Sequence, residues 1–174
     1  SVQARVHPAM VPEGVMLAKV DGVLNAVEVE TDLAGRVLFH GRGAGSMPTT
    51  SAIMADIVDI ARNIVGSVLP PPPVELSEDV RIRPMRDLET KYYLRLSVRD
   101  RPGVLAGIAS ILGELQISIA SVIQKERDET AERAEIVLMT HTSKESSMQQ
   151  AVIRLRELEI VQEVGSLVRV EEWE

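Results

Sequence analysis

Two hydrophobic periods succeed one another along this chain, one of two residues and one near 3.6, and their order predicts its elements. The clearest change falls in Tyr92–Leu115. Tyr92, Leu94, Leu96 and Val98 lie on one side, with Tyr93, Arg95, Ser97 and Arg99 on the other, which predicts a half-buried strand. Val104, Leu105, Ile108, Ile111, Leu112 and Leu115 then follow helical spacing and make one apolar stripe. Between them sits Asp100-Arg101-Pro102-Gly103. Asp100 is placed to cap the helix, Pro102 suits its first turn, and Gly103 lets the backbone approach a neighbour. A helix start of this kind, with free N–H groups pointing outward, suits a carboxylate or a phosphate.

The same reading extends to both sides. Residues 2–11 look extended, ending a strand at His7-Pro8, and Val15–Val20 suits one helical turn. Ala26–Glu30 alternates, apolar in and acidic out, and Arg36–Gly41 returns as its partner, with Gly35 where the turn needs unusual angles. After Gly41-Arg42-Gly43-Ala44-Gly45 a helix is predicted, with Ile53, Met54, Ile57, Ile60, Ala61 and Ile64 on one face. Asp56 and Asp59 lie opposite, and Ser46 or Thr49 is placed to cap. Pro70–Pro73 predicts a stiff spacer of about 12 Å at about 3.1 Å per residue. The boundaries expected are a first segment at 1–66, a linker at 67–90 and a second domain at 91–174.

Beyond the opening strand and helix of that second domain, Ile117–Lys125 is apolar and β-branched, Arg127–Thr130 is a polar turn, and Ala134–Thr140 is a strand. Thr142 and Glu145 have capping-box spacing. Met148, Ala151, Val152, Leu155 and Leu158 give a second amphipathic helix, and Val164–Val170 a last strand. The order β-α-β-β-α-β predicts an antiparallel four-stranded sheet with both helices on one face. The fold class expected is α+β: a partial α/β segment followed by a ferredoxin-like domain.

Composition narrows the chemistry. With only 2% aromatic residues in 174, the core must be built from aliphatic side chains. A net charge of −7 argues against a nucleic-acid groove. The absence of cysteine excludes disulfides, thiolate metal sites and a Cys nucleophile, and fits a reducing, cytoplasmic setting. No apolar run reaches a membrane span, so neither a membrane nor a nucleic acid is expected as partner. The chain opens without an initiator Met into strand-like Val2–Val6, as a piece of a longer chain would. The three histidines are scattered and show no ligand spacing, so no metal site is assigned. Asp56 and Asp59 read as a solvated face rather than a catalytic pair. The Gly41–Gly45 run lacks a third glycine at fingerprint spacing, where Ser46 stands, and by itself reads as a tight strand-to-helix turn.

The stretch Leu96–Leu105 with Ile108, followed by Ile117–Gln124, resembles an ACT domain, a small amino-acid-sensing module. The resemblance covers about Tyr92 to Val170. Arg5–Pro8, Val20–Val27, Gly41–Gly45, Pro48–Ala52 and Asp56–Arg62, in that order and spacing, are together similar to the last third of homoserine dehydrogenases. This resemblance implies NAD(P)-dependent interconversion of homoserine and aspartate semialdehyde in the intact enzyme. It also implies that the dinucleotide fold and proton-transfer groups lie upstream. The fragment is then expected to be inactive, with no catalytic residue and no bound cofactor of its own. By position, Gly43, Ala44, Gly45 and Thr49 would line the nicotinamide end of the cofactor. The family-type effector site would use Asp100, Pro102, Gly103 and Val104, completed by Gln116, Ile117 and Ser118 of a neighbouring copy. Effector-binding members often carry Asn where this chain has Ser118. Threonine is the expected effector, and a homo-oligomer through the edges of the sheet the expected assembly. The alternative is a non-enzymatic amino-acid-binding module that acts by changing subunit association.

Overall fold

The computed structural model describes residues 1–67, 80–124 and 133–172. The proline spacer, the Arg127–Thr130 turn, Lys125 and Trp173 lie outside the described residues. The chain divides into two units, Pro12–Glu78 and a second made of Ser1–Val11 with Asp79–Glu174. The first eleven residues thus belong with the C-terminal unit, whereas the sequence pattern groups them with the segment that follows.

In the C-terminal unit the centre is β4 (Glu89–Arg99). It lies antiparallel between β8 (Val161–Val170) and β6 (Arg133–Thr140), and β5 (Ile119–Gln124) pairs the far side of β6. This is the expected ferredoxin-like α+β order. Two additions extend it. β1 (Ala9–Met10) runs parallel to the end of β8, and β7 (Ser143–Lys144) pairs the start of β4. The period-two reading holds residue by residue: Tyr92, Leu94, Leu96 and Val98 are all buried. They share a core with Ile108 and Leu112 of α2 (Val104–Glu114) and with Met148, Ala151 and Leu155 of α3 (Glu145–Glu157). Each such aliphatic side chain contributes about 1.5–3 kcal/mol by leaving water. Leu105, expected on that stripe, is instead exposed.

The unit Pro12–Glu78 holds a 3₁₀ turn at Met16–Lys19 and an antiparallel hairpin of β2 (Leu24–Thr31) with β3 (Gly35–Arg42). A 20-residue helix, α1 (Ser46–Val65), follows. Gly35 takes φ +67°, and Thr31 Oγ1 closes the turn by accepting from Ala34 N–H and donating to Gly35 C=O. The expectation of apolar-in, acidic-out holds at Ala26 and Glu30 but fails between them on β2. Val27 is 61% exposed, whereas the Glu28 side chain is 14% exposed and pairs with Arg36 at 3.4 Å. No residue described in 12–67 is buried, and Ile53, Met54, Ile57 and Ile60 of α1 are each at least half exposed.

None of the three expected side-chain caps forms. α1 is capped by Gly45 (φ +121°), α2 by Gly103 (φ +90°) and α3 by Lys144, in each case without a side-chain bond. Asp100 lies one turn too early to cap α2. Thr49 Oγ1 donates back to Gly45 C=O at 2.8 Å, since it is already inside α1. Glu145 leads α3 but turns inward, away from a capping box.

Candidate functional site

Where β4 hands over to α2 the chain makes a tight turn. Arg101 N–H donates to Arg99 C=O at 3.0 Å, and Gly103 takes the left-handed conformation that lets α2 begin at Val104. The first N–H groups of α2 have no partner within the helix and face outward. A cavity of about 320 Å³ opens there. The turn from Val98 to Leu105 forms one wall, and Gln124, Ala134 and Ile136 form the other. Asp100, Pro102, Gly103 and Val104 are therefore brought together as expected. Gln124, which the sequence reading did not assign, joins them because the end of β5 and the start of β6 meet the turn at one end of the sheet. The volume is at the lower end for a small-molecule site. Helix N–H groups with Arg99 and Arg101 suit a carboxylate, and Asp100 is the acidic group at the same mouth. Arg99 also reaches Glu159 at 3.4 Å.

Ile117 and Ser118 are not at this cavity in the same chain. They follow the other end of α2, whose 11 residues span roughly 16 Å. Ile117 is buried and Ser118 C=O accepts from His141 N–H.

The glycine turn before α1 is built by steric exclusion. Gly43 N–H donates to Val23 C=O at 3.2 Å, and a Cβ at Gly43 would lie 1.4 Å from Asn25 Nδ2. Gly45 needs its positive φ, and a Cβ there would press on Pro48 Cδ at 3.3 Å. Gly43, Ala44, Gly45 and Thr49 thus lie together where the hairpin passes into α1. Asp56 and Asp59 stay exposed on α1. Among the described residues no group of three or more His, Cys, Asp or Glu is arranged to hold a metal ion, and no helix is long and apolar enough to cross a membrane.

A further cluster was hidden from sequence reasoning. Glu145, 4% exposed, accepts from Tyr92 Oη at 2.8 Å, from Gln149 Nε2 at 2.7 Å, and from Arg169 through Nε at 2.8 Å and Nη2 at 2.5 Å. Burial raises its pKa, but the hydrogen bonds from Arg169, Gln149 and Tyr92 and the Arg169 charge outweigh this and hold it below the ordinary value. Burial first, then the bond to Glu145 and its charge, push the Tyr92 hydroxyl well above the usual tyrosine range. The bond to Glu145 raises Arg169 against the cost of burial. The partners lie 53, 24 and 4 residues away in sequence, so only the last falls at a spacing a sequence can display.

The homoserine dehydrogenase family profile matches residues 1–58 and the ACT domain profile residues 92–160. Homoserine dehydrogenase from Neisseria gonorrhoeae is 38% identical over 98% of this chain, and that from Mycobacterium tuberculosis 41% identical over 98%. The chain matches the C-terminal region of homoserine dehydrogenases. It spans only 40% and 39% of those two relatives. A crystal structure of a homoserine dehydrogenase from Thiobacillus denitrificans superposes with a TM-score of 0.83 at 39% identity, covering 98% of this chain and 39% of that one. The Staphylococcus aureus homoserine dehydrogenase, at 22% identity and a TM-score of 0.52, shares the fold.

Proposed function

We propose that this chain is the sensing tail of a homoserine dehydrogenase, binding a small amino acid, threonine first, at the cavity between Gly103 and Gln124. The observation that carries this is the cavity itself. The first turn of α2, two arginines and Asp100 surround a space of about 320 Å³, a charge pattern that matches a zwitterion. In the whole enzyme the reaction would be hydride transfer between a nicotinamide cofactor and homoserine or aspartate semialdehyde, a step of threonine and methionine biosynthesis. The bare turn Gly43–Gly45 and Thr49 would line the nicotinamide end, and the exposed stripe of α1 would pack on the remainder of the catalytic part. The 174 residues alone would bind effector and self-associate without turning over NAD(P)H.

Calorimetry tests the sensing reading. Threonine is expected to give heat, with methionine, isoleucine and serine weaker. Gly103→Val, which strains a left-handed backbone beside the cavity, is expected to weaken binding at least about tenfold. No heat with any of the four amino acids would sink it. Robust NAD(P)H turnover with homoserine by this chain would sink the expectation of inactivity.

The alternative, an amino-acid module acting through association alone, draws on the open edge of β5, where Val122 and Ile123 are exposed. It requires the effector to favour one association state by differential affinity. Sedimentation with and without threonine separates the two.

A further inference from the structure

Residues 1–11 are gripped from two sides. On one side Val2 N–H donates to Arg81 C=O at 2.9 Å, Arg83 N–H donates to Val2 C=O at 2.8 Å, and Gln3 Nε2 reaches Pro84 C=O. On the other, Ala9 and Met10 pair with Arg169 and Val170, Glu171 N–H donates to Met10 C=O at 2.9 Å, and Arg5 pairs with Glu171 at 2.8 Å. Both grips lead to one residue. The first stretch runs on to Leu88, whose C=O accepts from Glu145 N–H at 2.8 Å. In the second, the Arg169 whose backbone pairs with Ala9 sends its guanidinium to the Glu145 carboxylate. Tyr92, directly opposite Arg169 on β4, binds the same carboxylate. Glu145 is thus the point where α3, β4, β8 and the 80–88 stretch meet, and it has nothing to do with the cavity at the opposite end of β4.

We propose that Glu145 and Arg169 form a latch that fixes residues 1–11 to the ACT unit, and with them the point at Val11 where the chain passes into the other unit. A loosening of α3 or β8 then reaches Val11 without any contact between ligand and residues 1–11. Only the use of the latch in regulation rests on the sensing reading; the latch itself does not.

The test is hydrogen exchange on the 174-residue chain with no amino acid added, which keeps its failure separate from failure of threonine binding. In Glu145→Gln the amides of Val2, Arg83 and Glu171 are expected to exchange about tenfold faster, the equivalent of losing one charge-assisted bond. Leu94–Val98 and α2 should lose only the protection that any fall in the variant's urea midpoint accounts for. Arg169→Lys, which keeps the charge but loses the two-pronged bond, should act in the same direction and serves if Glu145→Gln does not fold. Tyr92→Phe, which leaves the ion pair, should move these amides little. If both Glu145→Gln and Arg169→Lys loosen only the first turn of α3 and leave residues 1–11 and 83 unchanged, the latch does not exist.

Discussion

At the scale of single residues, Glu145 decides most. It is buried and ionised, its carboxylate accepts four hydrogen bonds from three side chains, and removing one member of such a pair leaves the other uncompensated. Glu145→Ala is expected to cost about 3 kcal/mol or more, read from urea midpoints at neutral pH. Acid should act through the same group. Its folded-state pKa is below the ordinary 4.5, so above that pH the unfolded chain gains nothing by protonation and the stabilisation is complete. Below about pH 4.5 the unfolded state binds the proton first, and stability falls as pH descends through the lowered folded value. Urea midpoints measured from pH 7 to pH 3 should drop in wild type, and the acid slope should be shallower in Glu145→Gln. Equal slopes would mean other carboxylates carry the effect. Glu145 was illegible in the sequence because its spacing from Thr142 mimics a local cap, while its true partners on β4 and β8 are brought near only by the sheet. The glycines were half legible. Gly35 and Gly103 declare themselves as turn residues, but the reason for Gly43 is the Asn25 side chain across the hairpin.

At the scale of elements, legibility follows burial. The strict alternation of β4 and the stripe of α3 matched the core because one side of each is covered. β2 misled for the opposite reason: with neither side buried, alternation sets no direction, and Arg36 drew Glu28 to the better-covered side. The strand expected over residues 2–11 is reduced to Ala9–Met10 and a bridge at Val2, whose partners lie far along the chain. α1 has a good stripe and no buried residue, so its stability must come from propensity alone, which is marginal for a helix of 20 residues. Amides of α1 are expected to exchange faster than those of Leu94–Val98 by several orders of magnitude in hydrogen-exchange measurements. Comparable protection in the two would mean the stripe is covered in solution.

For the whole molecule, among the described residues, the sheet order β1-β8-β4-β6-β5 has β1 covering only the end of β8 and leaves the outer side of β5 unpaired. Self-association is expected there. Ile123→Lys, placing a charge on that edge, should shift the chain to monomer in analytical ultracentrifugation while leaving its melting temperature within a few degrees. An unchanged mass would direct attention to the exposed face of α1 instead. The family was legible in the sequence from the ordered motifs of both halves. The grouping of residues 1–11 with the far end of the chain was not, since no local pattern encodes a parallel partner 160 positions away.

That parallel pairing has a topological consequence. With Arg5 against Glu171, the opening and closing stretches of the polypeptide run as neighbours. Contacts between positions so far apart are among the slowest for a chain to find, so the pairing of Ala9 with Arg169 is expected to form late in folding.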